Sequence, residues 1–325
     1  MGGAVFAVTG RPFQSALVDE VLDEPSRVVI SPFLNVDQRL ESQTDVSLFT
    51  VTANEPSYWR LATLDIYEDD IWRSTGDFLA VPDADLSNQT DQTIRQVFGI
   101  NGLSSIWLPV APEPVVVAAD GATEIEANSA AGTYVVSADR DNSDGVQYSA
   151  HSEPVVASVD SLRAVPPTDP IEITGQYLAL DEVNRAIAAD LTAELTTDQP
   201  TRYDQVRAIQ DHFRGFDYEV GAGADANALE RTLTERSGAA TDLASAFAVM
   251  ARTVDIPSRV AVGFTWGSPG ETVDDLTTYE VFGRHAHVWP EIYFEGIGWV
   301  PFEPTPGRGI PGASNYTGVN AEQSE

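Results

Sequence analysis

Apolar residues between about residue 28 and residue 160 occur in short runs that are rich in Val, Ile, Tyr, Trp and Thr. Asp, Asn, Gly and Pro separate these runs and favour turns, so the pattern predicts a series of strands. The best candidates are residues 46–52, 58–66, 94–100, 106–110, 114–118, 133–137 and 146–149. Consecutive strands without helical periodicity between them favour an antiparallel, sandwich-like β domain.

A proline-rich segment, Ala164–Pro170, ends this region. Proline lacks an amide donor and has a fixed φ, so the segment cannot continue a helix or a central strand. We therefore predict a β-rich N-terminal domain over residues 1–165 and a second domain over residues 166–306. Residues 307–325 are polar and rich in Gly and Pro, which predicts a flexible tail.

The apolar spacing becomes helical after this junction. Helices are predicted where Leu180, Val183, Ile187 and Leu191 recur, over residues 203–213, and from about residue 239 to residue 253. Strands are predicted at residues 259–265, 277–282, 287–294 and 299–302. Helices followed by antiparallel strands are typical of an α+β fold.

The formal net charge of the 325 residues is −32 at pH 7. Such an acidic surface repels phosphate backbones and anionic lipid, so we expect no nucleic-acid partner. No stretch is apolar for long enough to span a bilayer, and the opening Met1–Val8 lacks the features of a signal peptide. We expect the chain itself to be soluble.

The chain contains no cysteine, which excludes disulfides, thiolate metal sites and thiol catalysis. Its acidic runs are typical of solvated turns. The loop Asp139–Gly145 misplaces the glycine and lacks the closing glutamate of an EF-hand. We predict neither a metal nor a cofactor.

Residue 240 lies at the start of the third predicted helix, where amide donors and the helix dipole stabilise an anion such as a thiolate. The spacing of His287 and Glu303 places their midpoint beside Gly296 and Gly298, which can turn a hairpin. Their side chains are then expected within a couple of residues of register on paired strands. A base and an acid that orients it require such an arrangement.

Three strings resemble the transglutaminase-like superfamily, whose enzymes use a cysteine nucleophile. Gly238–Phe264 is similar to the helix-to-strand passage of that family. His287-Val288-Trp289 stands where the family usually has His-Ala-Trp. Gly298–Thr305 stands where it has Gly-Trp and then an acid, Pro and Thr. The resemblance implies a papain-like core of helices packed on an antiparallel sheet.

Carried over by these matches, Ala240 stands at the nucleophile position, His287 is the base and Glu303 is its orienting acid. Ser237 and Thr241 are near residue 240, but we expect their side chains to point elsewhere on the turn. A hydroxyl also needs stronger activation than a thiol. The resemblance therefore implies a site of the Cys-His-Asp/Glu type that lacks its cysteine.

The sequence gives less support for a role of the other three histidines in catalysis or metal binding. Alternation places His285 on the same strand face as His287, so it lines the cleft or lies at the surface. His212 and His151 have no companion at metal-ligand spacing, and we predict that both are structural.

The resemblance extends upstream to bacterial membrane-anchored proteins in which a motif like Tyr58–Asp65 precedes the transglutaminase-like domain. In those proteins spanning helices flank this region, and the soluble part faces outward. This implies the extracytoplasmic face of a bacterial membrane, with membrane contact only through segments outside this chain.

Two functions of different classes remain. The first is a catalytically silent module that has kept its cleft for a protein or peptide ligand or for assembly. Ala239 and Leu243 also depart from the aromatic residues that the family often has around its nucleophile, which favours natural loss. The alternative is a Cys-to-Ala form of a cysteine protease or transglutaminase that acts by acyl transfer on exported protein or cell-wall peptide.

Overall fold

The computed structural model of the protein describes residues 45–68, 70–82, 86–87, 90, 92–121, 123–219 and 227–324. The opening segment considered above as a targeting signal lies outside these residues. The strands are β1 (Ser47–Ala53), β2 (Trp59–Leu64), β3 (Ile66–Glu68), β4 (Ile71–Arg73), β5 (Leu79–Ala80), β6 (Ile94–Ile100), β7 (Trp107–Leu108), β8 (Pro114–Ala119), β9 (Ile125–Asn128), β10 (Thr133–Val136), β11 (Gln147–Ser152), β12 (Asp217–Tyr218), β13 (Ser237–Gly238), β14 (Ser258–Phe264), β15 (Ser268–Val273), β16 (Leu276–Phe282), β17 (Ala286–Phe294), β18 (Gly298–Pro301), β19 (Arg308–Gly309) and β20 (Glu322–Gln323). The helices are α1 (Val159–Arg163), α2 (Ile171–Tyr177), α3 (Glu182–Thr196), α4 (Arg202–Phe213), α5 (Ala228–Glu235), α6 (Ala240–Thr253) and α7 (Ser314–Thr317), and a 3₁₀ turn spans Gly283–His285.

Strands from the first half of the chain form most of a six-stranded sheet in the order β15-β16-β1-β6-β11-β8. Side chains alternate along β1, so that Phe49, Val51 and Ala53 are fully buried while the threonines between them are only partly covered. This period of two is typical of a strand with one face in the core, and the strand itself was predicted from its run of apolar and threonine residues. A four-stranded sheet, β5-β9-β10-β7, lies in the same part of the chain.

A second four-stranded sheet, β18-β17-β14-β2, supports helix α6. Every residue of β14 is buried, because β2 and β17 pair with its two edges and α6 packs against it. Leu243, Phe247 and Met250 of α6 are fully buried, as the helical period predicted, but nearly all the other residues of this helix are buried as well. This element order confirms the α+β class.

Strands from both halves of the sequence form the six-stranded sheet and the four-stranded sheet β18-β17-β14-β2. Strand β1 pairs with β16, and β2 pairs with β14, although these partners lie far apart in the chain. All described residues also belong to one compact unit. The predicted junction at residue 165 is therefore not a break between separate sheets.

The last segment, predicted as a flexible tail over residues 307–325, is packed in the structure. Ile310, Ala313 and Tyr316 are buried, and β19 pairs with β20. The Tyr203 hydroxyl of α4 donates to the Tyr316 carbonyl at 2.6 Å. The apolar side chains among its glycines and prolines anchor this segment to α4, and a composition argument does not detect them.

Within the described ranges, no helix combines the length and apolar character that crossing a bilayer requires.

Candidate active site

The central feature of the site is a buried pair of side chains, His287 on β17 and Glu303 just beyond β18. The His287 Nε2 atom lies 2.8 Å from Glu303 Oε2, and both side chains are inaccessible to solvent. The hairpin of β17 and β18 creates this contact, with Phe294 opposite Gly298 at its turn. Gly298 has a φ of +104°, a conformation that favours glycine. The side-chain pairing that the spacing predicted is present.

The carboxylate of Glu303 is contacted by three hydrogen-bonding groups, of which His287 is the first. Oε2 also accepts the Tyr58 hydroxyl at 2.8 Å, and Oε1 accepts the amide of Thr305 at 3.0 Å. Burial opposes the charged form, but the His287 charge and these hydrogen bonds outweigh it and hold the pKa of Glu303 below its usual range. Glu303 is therefore an anion that orients the imidazole of His287.

The other nitrogen of His287 is available for chemistry. Within the described ranges, Nδ1 is buried and has no hydrogen-bond partner. When Nε2 carries the proton donated to Glu303, Nδ1 of the neutral ring is an acceptor. The arrangement fixes the tautomer in which Nδ1 can accept a proton from a nucleophile.

Aromatic rings enclose this histidine. Trp289, two residues further along β17, stacks on His287 with ring centroids 6.1 Å apart. Tyr58 contacts the same imidazole edge-to-face at 5.3 Å. The indole Nε1 of Trp289 is buried and has no hydrogen-bond partner within the described part of the chain. The imidazole thus contacts two buried aromatic rings.

Ala240 is the first residue of α6, the helix that packs against β17. The residue is fully buried (0% exposed). The Asp242 carboxylate accepts the Ala239 amide at 3.1 Å, and no side chain at residue 239 caps the helix. The amide groups of the first turn of α6 can stabilise an anion, as at the start of any α-helix. The side chain of Ala240 at this place is only a methyl group.

The remaining predicted residues do not join this pair. His285 lies in the 3₁₀ turn before β17, where strand alternation does not apply, and its Nδ1 accepts the Phe282 amide at 3.0 Å. It is buried, which contradicts the surface position, one of the two alternatives considered for it. Burial, followed by the charges of Arg284 and Arg308, lowers its pKa to about 4.

His212 packs against phenylalanine rings on α4, and His151 is buried in β11, as expected of structural residues. Thr241 is buried in the first turn of α6, and Ser237 lies in β13. Among the described residues, no group of three or more histidines and acids is suited to a metal ion.

The site also contains residues that the sequence analysis did not assign to it. Tyr58 is one of them: it belongs to the motif Tyr58–Asp65, but no role was predicted for it. Its partner Glu303 lies 245 positions further along the chain. A buried cluster of Arg60, Glu291 and Arg259 lies on the same sheet. In the sequence, burial of these three charged residues is indicated only by the apolar residues that surround each of them in a predicted strand.

Residues 189–304 match the transglutaminase-like superfamily, and residues 5–158 match the TgpA N-terminal domain. The chain contains a transglutaminase-like superfamily domain. Ala240, His287 and Glu303 all lie within it. Tyr58 lies in the region matched to the TgpA N-terminal domain.

Two comparisons extend over most of the chain. An uncharacterized protein of Bacillus subtilis, YebA, is 24% identical over 304 residues, which are 87% of this chain and 41% of that protein. The chain thus spans less than half the length of this relative. The crystal structure of the periplasmic domain of TgpA from Pseudomonas aeruginosa is similar with a TM-score of 0.61 and 20% identity, covering 83% of this chain and 90% of that one. This similarity confirms the fold of the transglutaminase-like domain and its β-rich partner.

Proposed function

We propose that this protein is a catalytically silent transglutaminase-like module that binds a protein or peptide segment, or assembles with one, through its cleft. The observation that carries the proposal is the alanine at residue 240 in a chain without any cysteine. Removing the nucleophile of such a triad costs orders of magnitude in rate. The resemblance to a periplasmic domain supports a place outside the cytoplasm.

The surroundings of Ala240 support natural loss. Ala239 and Leu243 are both buried, so the helix start is packed with small and aliphatic side chains rather than aromatic ones. A single engineered substitution would leave the neighbours of the nucleophile unchanged.

The alternative is an inactivated cysteine protease or transglutaminase, and the His287–Glu303 pair favours it. A fully buried histidine and carboxylate are costly to maintain, and here the pair is complete, with an oriented imidazole and an available Nδ1. In the parent enzyme a thiol at residue 240 would attack an amide carbonyl, and cleavage of the C–N bond would release an amine or ammonia and leave a thioester. Water or a second amine would then take the acyl group and regenerate the thiol.

The substitution Ala240→Cys separates the two proposals. The matched control is Ala228→Cys, since residue 228 also begins a helix whose preceding residue makes no side-chain cap. A silent module predicts that iodoacetamide labels the residue 240 thiol no faster than the control across the pH range. Rapid labelling at a pH well below the ordinary cysteine pKa of about 8.5 would favour the inactivated enzyme.

Ligand binding is tested on the unmodified chain. Titration with a casein-derived peptide and with a synthetic cell-wall stem peptide should shift the NMR signal of the Trp289 indole, which stacks on His287. The indole of Trp107, in β7, is the internal control. Shifts at both indoles, or at neither with millimolar peptide, would contradict binding in the cleft. Acyl transfer by the unmodified chain would contradict catalytic silence.

A further inference from the structure

We infer that Tyr58 is a positioning residue of this site: its hydroxyl holds the Glu303 carboxylate in the orientation that His287 requires. The site is then completed by a residue outside the matched range 189–304, supplied by the chain just before β2. The inference rests on the proposed assignment of His287 and Glu303, and it does not depend on whether the chain turns over a substrate.

The hydrogen bond itself is the first observation. Tyr58 Oη and His287 Nε2 each lie 2.8 Å from the same oxygen, Oε2 of Glu303. Two donors on one oxygen fix its position in two directions, and the Thr305 amide fixes the other oxygen. Without the hydroxyl, Oε2 would be held only by the imidazole that it orients, and Oε1 by the Thr305 amide.

The ring of Tyr58 is as constrained as its hydroxyl. It contacts the imidazole of His287 and the indole of Trp289, with centroids 5.3 Å and 5.0 Å away, and it stacks on Trp266 at 6.3 Å. The side chain is 1% exposed. A hydroxyl on such an immobile ring loses little entropy when it forms its hydrogen bond.

Strand β14 explains how β2 brings Tyr58 so close. Gly263 pairs with His287 on one side and with Arg60 on the other, and the register of β2 shifts there. A Cβ atom at residue 263 would lie 2.1 Å from the Trp59 carbonyl oxygen. The close approach of β2 therefore requires glycine at this position, and it is a built feature of the sheet.

The burial and the surroundings of the Tyr58 hydroxyl keep it protonated, so that it remains a hydrogen-bond donor. Burial, and then the charge and hydrogen bond of Glu303, raise the pKa of Tyr58 well above its usual value, although Arg308 and Arg214 act in the opposite direction. Because the pKa of Glu303 is lowered and that of Tyr58 is raised, the hydroxyl stays protonated over the pH range in which Glu303 titrates.

The test compares Tyr58→Phe with Tyr148→Phe in the otherwise unmodified chain. Tyr148 is also fully buried, and its hydroxyl donates to the Pro109 carbonyl, so each variant removes one buried hydroxyl and keeps the ring. A ¹³C NMR titration of the Glu303 carboxyl should show a raised pKa in Tyr58→Phe only, because one donor to the anion is lost. The same Glu303 titration in both variants would overturn the inference.

A second measurement applies a kinetic readout in the Ala240→Cys background. A lost hydrogen bond to a charged group corresponds to roughly a 10- to 100-fold slower thioester formation with an activated acyl donor in Tyr58→Phe. Tyr148→Phe should stay within about twofold of the parent. Equal rates in the two variants would contradict the positioning role.

The two proposals fail in different ways. An unreactive thiol at residue 240 would remove the inactivated-enzyme alternative, and the Glu303 titration would still decide the role of Tyr58. A double-mutant cycle in urea unfolding between Tyr58→Phe and Glu303→Gln gives a third, independent test. We expect losses of stability that are clearly less than additive, and strictly additive losses would refute the contact.

Discussion

The substitution Glu291→Gln tests the buried charge cluster that ties the N-terminal strand β2 to the rest of the sheet. Glu291 on β17 accepts from Arg60 on β2 at 3.2 Å and from Arg259 on β14 at 2.7 Å. All three side chains are at most 2% exposed. Burial disfavours the anion, but the two guanidinium charges dominate and lower the pKa of Glu291.

The magnitude follows from these distances. At an effective dielectric constant of about 20, attractions over 2.7 Å and 3.2 Å amount to about 6 and about 5 kcal/mol, and desolvation of the carboxylate offsets several kcal/mol of that sum. Glutamine has the same shape but leaves two buried arginines without a counter-charge. We therefore expect the free energy of unfolding to fall by about 3–5 kcal/mol. For a chain of 325 residues this loss corresponds to a decrease in Tm of roughly 4–7 °C.

Urea unfolding at pH 7, followed by circular dichroism, measures this loss. The matched control is Glu68→Gln, which removes the partner of Arg73 in a solvent-exposed pair. The control should change stability by no more than about 0.5 kcal/mol. A loss below about 1 kcal/mol in Glu291→Gln would refute the reasoning, since an uncompensated buried charge of this kind cannot cost so little.

Two further predictions concern Glu303 and the glycines. Because the pKa of Glu303 is lowered in the folded state, its contribution to stability is present above the unfolded glutamate pKa of about 4.3 and is lost as the pH falls through the folded value. Glu303→Gln should therefore flatten the acid side of a stability-versus-pH profile measured by urea unfolding, and an unchanged slope would contradict the lowered pKa. Gly263→Ala places a methyl group against the Trp59 carbonyl and should lower the free energy of unfolding by about 1–3 kcal/mol, whereas Gly175→Ala, in an open position of α2, should raise it by roughly 0.5–1 kcal/mol. Thermal unfolding of both variants checks the opposite signs, and equal shifts would contradict the close approach of β2.

Local patterns predicted most of the elements. The short apolar runs of β1 and β6 and the helical period of α4 and α6 are local patterns, and the structure gives nearly the same bounds. Several of the elements that were not predicted, such as β3, β5 and α1, contain too few residues for a period to appear, but the longer β15, α2 and α5 were not predicted either.

The site likewise combines a local contact, which the sequence predicted, with contacts between distant segments, which it did not predict. The His287–Glu303 contact forms within one hairpin, so the distance of each residue from the turn glycines was enough to predict it. The contact of Tyr58 with Glu303 and that of Arg60 with Glu291 join parts of the chain more than 200 residues apart. No spacing rule relates such residues.

The sequence alone determined the fold class, most of the long elements, the absence of a thiol and the pairing of a histidine with an acid. These properties depend on composition and on neighbours within a few turns of chain. Only the tertiary structure decided that β1 and β2 pair with strands of the second half, that the last segment packs on α4, and that a buried tyrosine contacts the His287–Glu303 pair. Each of these depends on pairing between distant segments, which the burial of shared apolar faces selects and a local pattern does not encode.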